Sequence, residues 1–145
     1  MISVNLPGRP GTALPAQEAT LDGYRDAVLT ALEDEKAPVV LVGHSFGGVT
    51  ISNVAEAAPE RVKTLVYVAG YVAVDDESTG QLSQADTGSA IGPNFRVDPM
   101  RGVVAIAQEA RGEIFANDGT AQQKADLAAA LVDEPGSPSP CLRCA

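Results

Sequence analysis

The stretch VVLVGHSFGGVTIS, residues 39–52, decides the fold. Residues 39–42 are apolar without polar alternation, which is typical of a parallel strand covered on both faces. Residues 43–47 fit the pattern G-x-S-x-G, and an apolar face at helical spacing follows them. This pattern forms a nucleophile elbow where a strand turns sharply into a helix. We therefore predict a strand, a tight turn at Ser45 and a helix over about residues 48–58.

The glycines of this pattern have a steric explanation. To leave a strand and enter a helix in one turn, Ser45 must adopt a strained backbone conformation. Gly43 and Gly47 are predicted to avoid collisions between side chains and the turning chain. The turn would expose Ser45 Oγ at the carboxyl end of the strand and direct the Phe46 N–H toward an oxyanion. Ser45 is thus the candidate nucleophile; the alternative is a glycine-rich turn with an incidental serine.

A nucleophilic serine needs a general base, and the chain contains one histidine, His44. Adjacent side chains on an elbow point in divergent directions, so we predict that His44 is structural rather than the base. Asp75, Asp76 and Glu77 follow the third predicted strand, where a carboxylate that orients a histidine could lie. Solvated loop acids are the preferred interpretation of these three residues. The sequence therefore leaves the base unassigned.

Composition and charge exclude several classes of protein. Of the 145 residues, 45% are apolar and 20% are charged, which is ordinary globular usage. A net charge of −9 argues against nucleic acid or an anionic membrane as the main partner. The first residues lack a secretory signal, and the longest largely apolar stretch, residues 65–74, is too short to span a bilayer. We predict a soluble, cytoplasmic protein.

Cys141 and Cys144 form an isolated C-x-x-C near the C-terminus. A zinc site would need two more ligands, and a redox pair normally opens a helix within a βαβ unit. The sequence offers neither context for these two thiols. We therefore predict no metal and no cofactor.

The residues flanking the elbow predict an α/β domain. Residues 2–6 alternate as a short strand does, and residues 62–69 form a β-branched run typical of a buried strand. Residues 20–32 place apolar side chains on one face of a helix that Thr20 can cap. The order strand, helix, strand, helix, strand predicts a parallel βαβαβ core within residues 1–70.

The second half of the chain gives weaker signals. Residues 71–132 are predicted to form a lid-like segment that begins as a polar loop. Helical patterns follow near residues 104–115 and 121–132, and Thr120 and Gln123 open the second in capping-box spacing. The proline-rich residues 133–145 are predicted to be a disordered tail, so that one domain covers residues 1–132.

These segments resemble the α/β-hydrolase superfamily. They are most similar to its bacterial esterase-like branch, which also resembles plant methylesterases and hydroxynitrile lyases. The matching segments are VNLPGRPGT, TLDGYRDAVLTAL, PVVLVGHSFGGVTISNVAEAAPERVKTLVYVAGYV and, more faintly, EIFANDGTAQQKADLAAAL. The resemblance implies a partial α/β-hydrolase fold and a serine hydrolase of small carboxylic esters or related acyl compounds. It makes Ser45 the nucleophile and Phe46 the donor of one oxyanion hydrogen bond, and it leaves lyase chemistry and the oligomeric state open.

The chain also departs from this family. There the triad runs Ser, Asp or Glu, then His, with the last two on loops after later strands. This sequence offers no counterpart for that histidine, no convincing acid, and no loop for a second oxyanion donor. In the family's sheet, one further strand lies between the strands that match residues 2–6 and 39–42. This sequence has no counterpart for it, so the two matching strands would either pair directly with each other or be separated by a gap.

These departures suggest a chain truncated at both ends by an incomplete reading frame. We therefore expect little activity from the chain alone. The alternatives are a non-catalytic remnant of the fold that acts as a binding or interaction module, and complementation by another polypeptide that supplies the missing acid and histidine.

Overall fold

The computed structural model describes residues 1–72 and 79–136. Helices and strands alternate in the first half, as expected of an α/β protein. The elements are α1 (Leu21–Ala31), β1 (Val39–His44), α2 (Gly47–Ala57), β2 (Val62–Val68), α3 (Thr79–Ala85), α4 (Ile91–Asn94), β3 (Phe95–Asp98), β4 (Val103–Ile106), α5 (Arg111–Phe115), α6 (Ala121–Ala130) and β5 (Glu134–Pro135). None of the helices in these ranges combines the length and apolar character needed to cross a membrane.

The strands β1 and β2 form a parallel pair connected by α2. Their register aligns Leu41 with Leu65 and His44 with Val68. Because both strands run in the same direction, their carboxyl ends meet at one edge of the sheet. The residues that follow His44 and Val68 are therefore brought together at that edge.

The predicted first helix is confirmed as α1. The Thr20 side chain accepts a hydrogen bond from the Gly23 N–H, and Asp22 lies in the first turn, where the helix dipole favours a negative charge. Leu21, Tyr24 and Val28 form its buried face. This face packs against α2 and so brings the two helices together.

The main core lies between the two long helices and one face of the parallel sheet. Its buried residues are Val28, Leu32, Leu41, Ile51 and Val54. Leu41 comes from β1, and the others come from α1, its C-cap and α2. Both helices therefore cover the same face of the sheet.

The opposite face of the sheet is exposed, contrary to the prediction of strands covered on both sides. Val40 and Val42 are 52% and 64% exposed, and Val66 and Val68 beside them are also exposed. Since α1 and α2 both pack on the Leu41 side, no helix of the described residues shields these four valines. The parallel pair thus has one buried face and one open apolar face.

Residues 2–6 do not form the predicted strand. Among the described residues, the parallel sheet contains β1 and β2 alone, so this segment has no partner for a strand ladder. Val4 and Leu6 nevertheless pack against the main core. The strand predicted for residues 2–6 is therefore wrong, although Val4 and Leu6 are partly buried. The parallel core holds one βαβ unit in place of the predicted βαβαβ, and the α/β class stands.

An antiparallel sheet of order β3-β4-β5 forms in the second half of the chain. It corrects two predictions. The strand Val103–Ile106 occupies the start of a predicted helix, which is present only as α5. The strand Glu134–Pro135 lies within the predicted disordered tail. Both strands gain backbone partners from distant residues, which local patterns do not reveal.

The predicted helix with capping-box spacing is confirmed as α6. The Gln123 N–H donates to the Thr120 side chain, and the Gln123 side chain in turn accepts from the Thr120 N–H at 2.8 Å. These two bonds satisfy free donors at the helix start. The helix packs against α5.

Candidate active site

The turn between β1 and α2 has the backbone conformation of a sharp elbow. Ser45 follows the last residue of β1 and has φ 53°, and Phe46 returns to helical values at φ −57°. A non-glycine residue in the left-handed region costs about 1–3 kcal/mol and persists only where surrounding contacts impose it. In the described part of the chain, Ala69 is the one other such residue, at φ 41°.

Backbone hydrogen bonds hold Ser45 from two directions. The Ser45 N–H donates to the Val68 carbonyl oxygen at 3.3 Å. The Ser45 carbonyl oxygen accepts from the Gly48 N–H at 3.0 Å and from the Tyr71 N–H at 3.1 Å. The strained turn is therefore fixed both by its own helix and by the segment that follows β2.

The two glycines of the elbow differ in how well they fit the predicted steric role. A Cβ at Gly43 would overlap the Gly47 carbonyl oxygen, which agrees with the expected collision. A Cβ at Gly47 would meet no atom within 4 Å, so the steric role predicted for Gly47 is not found. At Gly48 a Cβ would overlap the Tyr71 carbonyl oxygen and lie 2.9 Å from its nitrogen. The second position that requires glycine is thus Gly48, because another segment approaches it.

Phe46 occupies the N-cap position of α2. Its carbonyl oxygen accepts from the Val49 N–H at 3.0 Å, whereas its own N–H has no backbone acceptor among the described residues. The first N–H groups of a helix are free to bind an anion. The Phe46 ring meets the Tyr24 ring edge to face, with centroids 6.2 Å apart. This contact fixes the ring beside the turn and leaves the N–H available.

The sequence as a whole, and not only the elbow, identifies the family. The sequence model described as Alpha/beta hydrolase family matches residues 1–142. This chain belongs to the α/β hydrolase family. The predicted resemblance is therefore confirmed, and the partial α/β-hydrolase fold with it.

Individual relatives of this α/β hydrolase carry several activities in their names. The dihydrolipoyllysine-residue acetyltransferase component of the acetoin cleaving system of Pseudomonas putida is 34% identical over 91 residues, which are 62% of this chain and 24% of that protein. Putative methylesterase 14, chloroplastic, of Arabidopsis thaliana is 32% identical over 74 residues, which are 50% of this chain and 21% of that protein.

A solved structure shows the same fold over nearly all of this hydrolase. The extracellular α/β-hydrolase from a Paenibacillus species superposes with a TM-score of 0.73 at 19% identity. The match covers 96% of this chain and 58% of that chain. The chain thus spans just over half of the solved relative, and its matches cover about a quarter of the curated relatives. The activities of those longer proteins are therefore matters for proposal.

The structure does not place His44 as a general base for Ser45. His44 ends β1, is exposed, and by strand alternation lies on the same face as Val40 and Val42. Among the described residues, no hydrogen bond joins His44 or any other side chain to the Ser45 hydroxyl. The candidates Asp75, Asp76, Glu77, Cys141 and Cys144 lie outside the described residues. Within the described ranges, no group of three His, Cys, Asp or Glu residues could hold a metal ion.

A polar cluster that the sequence did not predict lies behind the Phe46 ring. The Tyr24 hydroxyl donates to Glu134 Oε1 at 3.2 Å, and the Arg9 guanidinium pairs with the same carboxylate. Burial raises the pKa of Tyr24, and the Glu134 charge raises it further. Burial lowers the pKa of Arg9, but the hydrogen bond to Glu134, the Glu134 charge and the neighbouring Tyr24 together outweigh that effect and raise the pKa overall. Only tertiary contact joins these distant residues.

The surface of the described residues includes two open depressions with volumes of about 480 and 260 Å³. Arg9, Arg101 and Asp133 contribute to the larger one. The smaller one lies beside Val97 and Val103. Ser45 lines neither depression, so neither is assigned as its acyl pocket.

Proposed function

We propose that this α/β hydrolase is a serine hydrolase of small carboxylic esters, with Ser45 as the nucleophile and Phe46 as an oxyanion donor. The observation that carries the proposal is the left-handed backbone of Ser45, held between β1 and the start of α2. Strain of this kind is concentrated at functional sites. Ser45 is also partly exposed, as a residue that meets a substrate must be.

In the proposed reaction, Ser45 Oγ attacks the ester carbonyl carbon and loses its proton to a general base. The Phe46 N–H stabilises the negative charge that develops on the carbonyl oxygen. Collapse of the tetrahedral intermediate breaks the bond to the alkoxide, which leaves as an alcohol after taking up the proton. Water then hydrolyses the acyl-enzyme and releases the carboxylic acid.

The chain alone is expected to have only weak hydrolase activity. Among the described residues, no side chain is hydrogen-bonded to the Ser45 hydroxyl as a base must be. Binding and oxyanion stabilisation without a complete triad retain only a small part of the catalysis. The name of the Arabidopsis relative supports an ester as substrate. A cytoplasmic location stays a prediction from the sequence.

A fluorophosphonate probe tests the nucleophile, because the probe labels an activated serine and leaves an inert hydroxyl untouched. We expect slow labelling of the wild-type chain, in keeping with the absence of a bonded base among the described residues, and none of Ser45→Ala. Ser52→Ala is the matched control, since Ser52 lies on α2 and its hydroxyl bonds the Gly48 carbonyl oxygen and the Tyr67 hydroxyl. It should be labelled like the wild type. Absence of labelling in the wild type, or labelling that persists in Ser45→Ala, would reject the proposal.

A second candidate function is that of a non-catalytic interaction module. The exposed valine face of the parallel sheet favours it, since parallel sheets are normally covered on both faces. In that case the folded chain would remain unlabelled and would associate through this face. Sedimentation of the wild type and of a Val42→Thr, Val66→Thr double variant would show whether association depends on it.

A further inference from the structure

We infer that Tyr71 is a positioning residue for Ser45, acting through its backbone. The inference rests on the proposed function and extends it from the elbow to the neighbouring segment, residues 68–71, which we call the clamp. The clamp begins at the last residue of β2, and it carries no group that the proposed reaction consumes or protonates. Its contribution is to the orientation of the nucleophile.

The clamp bonds the Ser45 peptide on both sides. The Val68 carbonyl oxygen accepts from the Ser45 N–H at 3.3 Å, and the Tyr71 N–H donates to the Ser45 carbonyl oxygen at 3.1 Å. These two bonds restrain the backbone on either side of the Ser45 side chain. Rotation of that backbone would displace Ser45 Oγ, so the clamp limits the positions that the hydroxyl can take.

The clamp has a strained shape of its own. Ala69 has φ 41°, so the chain turns immediately after β2. The turn leaves Gly70 against the elbow, where a Cβ on Gly70 would lie 3.1 Å from the Gly43 carbonyl oxygen. A non-glycine residue adopts this conformation only where its surroundings impose it. The surroundings here include the elbow itself.

Gly48 is the position on α2 where the lack of a side chain leaves room for the clamp. A Cβ there would overlap the Tyr71 carbonyl oxygen and crowd its nitrogen at 2.9 Å. The nitrogen that must be placed accurately to reach Ser45 is therefore the atom that a side chain at Gly48 would displace. At Gly47 the same addition would meet open space, so the requirement is specific to the Tyr71 approach.

Tyr71 also connects the clamp to α3. Its hydroxyl and the Ser83 hydroxyl are hydrogen-bonded at 2.7 Å. The same residue thus bonds the nucleophile through its backbone and α3 through its side chain. This double attachment distinguishes Tyr71 from the rest of the clamp and makes it the residue on which the position of Ser45 depends.

The test measures fluorophosphonate labelling of the full chain at several probe concentrations. Two quantities follow, the maximal labelling rate constant and the probe concentration that gives half of it. For Gly48→Ala we expect the maximal rate constant to fall roughly 10- to 100-fold, because a misplaced nucleophile slows the chemical step. The half-saturating concentration should stay close to that of the wild type, since binding of the probe is not the step affected.

A second variant removes only the donor. Replacing the amide that precedes the Tyr71 side chain by an ester deletes the N–H and keeps the phenol, so it remains informative if Gly48→Ala fails to fold. We expect the same direction of change in the maximal rate constant. The control is Gly92→Ala in α4, where an added Cβ meets no atom within 4 Å, and it should react like the wild type.

The outcomes separate the inference from the proposed function. If the wild type is labelled at Ser45 and both clamp variants react at the wild-type rate, the inference is wrong and the proposed function stands. If both labelling quantities change along with the urea midpoint, Tyr71 has only a structural role and the inference also fails. If the wild type is unlabelled, or Ser45→Ala is labelled, the proposed function fails and the inference with it.

Discussion

Ser45 and Ala69 occupy equivalent places in the parallel sheet. The residues before them, His44 and Val68, are partners in the strand register, and each strand is followed by a left-handed residue. Since both strands end at the same level of the sheet, the turns that follow them lie side by side. The hydrogen bonds that join Ser45 to Val68 and Tyr71 follow from this arrangement.

The strain at Ala69 can be measured by a series of substitutions. Ala69→Gly should stabilise the fold by about 0.5–1 kcal/mol, because relief of the left-handed penalty exceeds the entropy that glycine adds to the unfolded chain. Ala69→Val should destabilise it by about 1–3 kcal/mol, since a branched side chain is least compatible with positive φ. Urea denaturation gives the order of the three stabilities. An order with valine above glycine would contradict the strained conformation.

The adjacent glycines Gly47 and Gly48 should differ sharply in their tolerance of alanine. Gly47→Ala adds a Cβ in open space within a helix, so the free energy of unfolding should be unchanged or rise by up to about 1 kcal/mol. Gly48→Ala should lower it by about 1–3 kcal/mol because the new Cβ overlaps the Tyr71 backbone. Thermal or urea unfolding of both variants tests this. Equal effects would show that Tyr71 does not approach Gly48 as described.

At this scale, the sequence predicts what depends on local chain geometry. The spacing of Gly43 and Ser45 after an apolar run indicated a sharp turn, because that requirement arises within the turn itself. The need for glycine at Gly48 could not be predicted, because it arises from a segment more than twenty residues away. The Gly47-Gly48 pair was a visible signal, but only the fold shows which of the two is approached.

The two faces of β1 give the clearest contrast between neighbouring residues of one element. Leu41 is buried in the main core, and Val42 beside it is 64% exposed. Leu41→Ala should lower the free energy of unfolding by about 2–5 kcal/mol, through lost burial and the cavity left behind. Val42→Ala should change it by no more than about 0.5 kcal/mol. Comparable losses in urea denaturation would mean that the Val42 face is covered in solution.

The sequence predicted elements whose signals are local. It failed to predict elements that form only through pairing with another strand. The helices α1 and α6 followed from apolar spacing and from the capping residues Thr20 and Thr120, whose bonds form within one turn. The segment 2–6 alternates like a strand but has no strand partner among the described residues. Conversely, β4 resembled a helix because its partners β3 and β5 are selected by the folded chain. Strand assignment thus depends on contacts that periodicity does not contain.

At the scale of the whole molecule, one polar cluster connects distant parts of the chain to the elbow. Arg9 comes from an early loop, Tyr24 from α1 and Glu134 from β5. The Tyr24 ring then contacts Phe46 at the start of α2. The antiparallel sheet is therefore attached to the candidate active site through one fully buried tyrosine.

This connection should make stability depend on alkaline pH. Burial first, and the Glu134 carboxylate next, raise the pKa of Tyr24 above its ordinary value of 10.0. Since the folded pKa exceeds the unfolded one, the contribution of neutral Tyr24 is complete below about pH 10 and is lost as the pH rises toward the folded pKa. Between about pH 9 and pH 11 the loss from this group should approach about 1 kcal/mol.

Tyr24→Phe isolates this effect because it keeps the ring contact with Phe46 and removes the titrating hydroxyl. The variant should be less stable than the wild type near neutral pH, owing to the lost bond to Glu134. The difference in free energy of unfolding between the two chains should shrink as the pH passes about 10. Above that pH the wild type loses stability, because its phenol ionises in the unfolded chain and stays neutral in the folded one. Urea denaturation of both chains across this range gives the difference at each pH. A difference that stays constant from about pH 9 to pH 11 would mean that Tyr24 ionises equally in the folded and unfolded chains, and hence that its hydroxyl is not held beside Glu134.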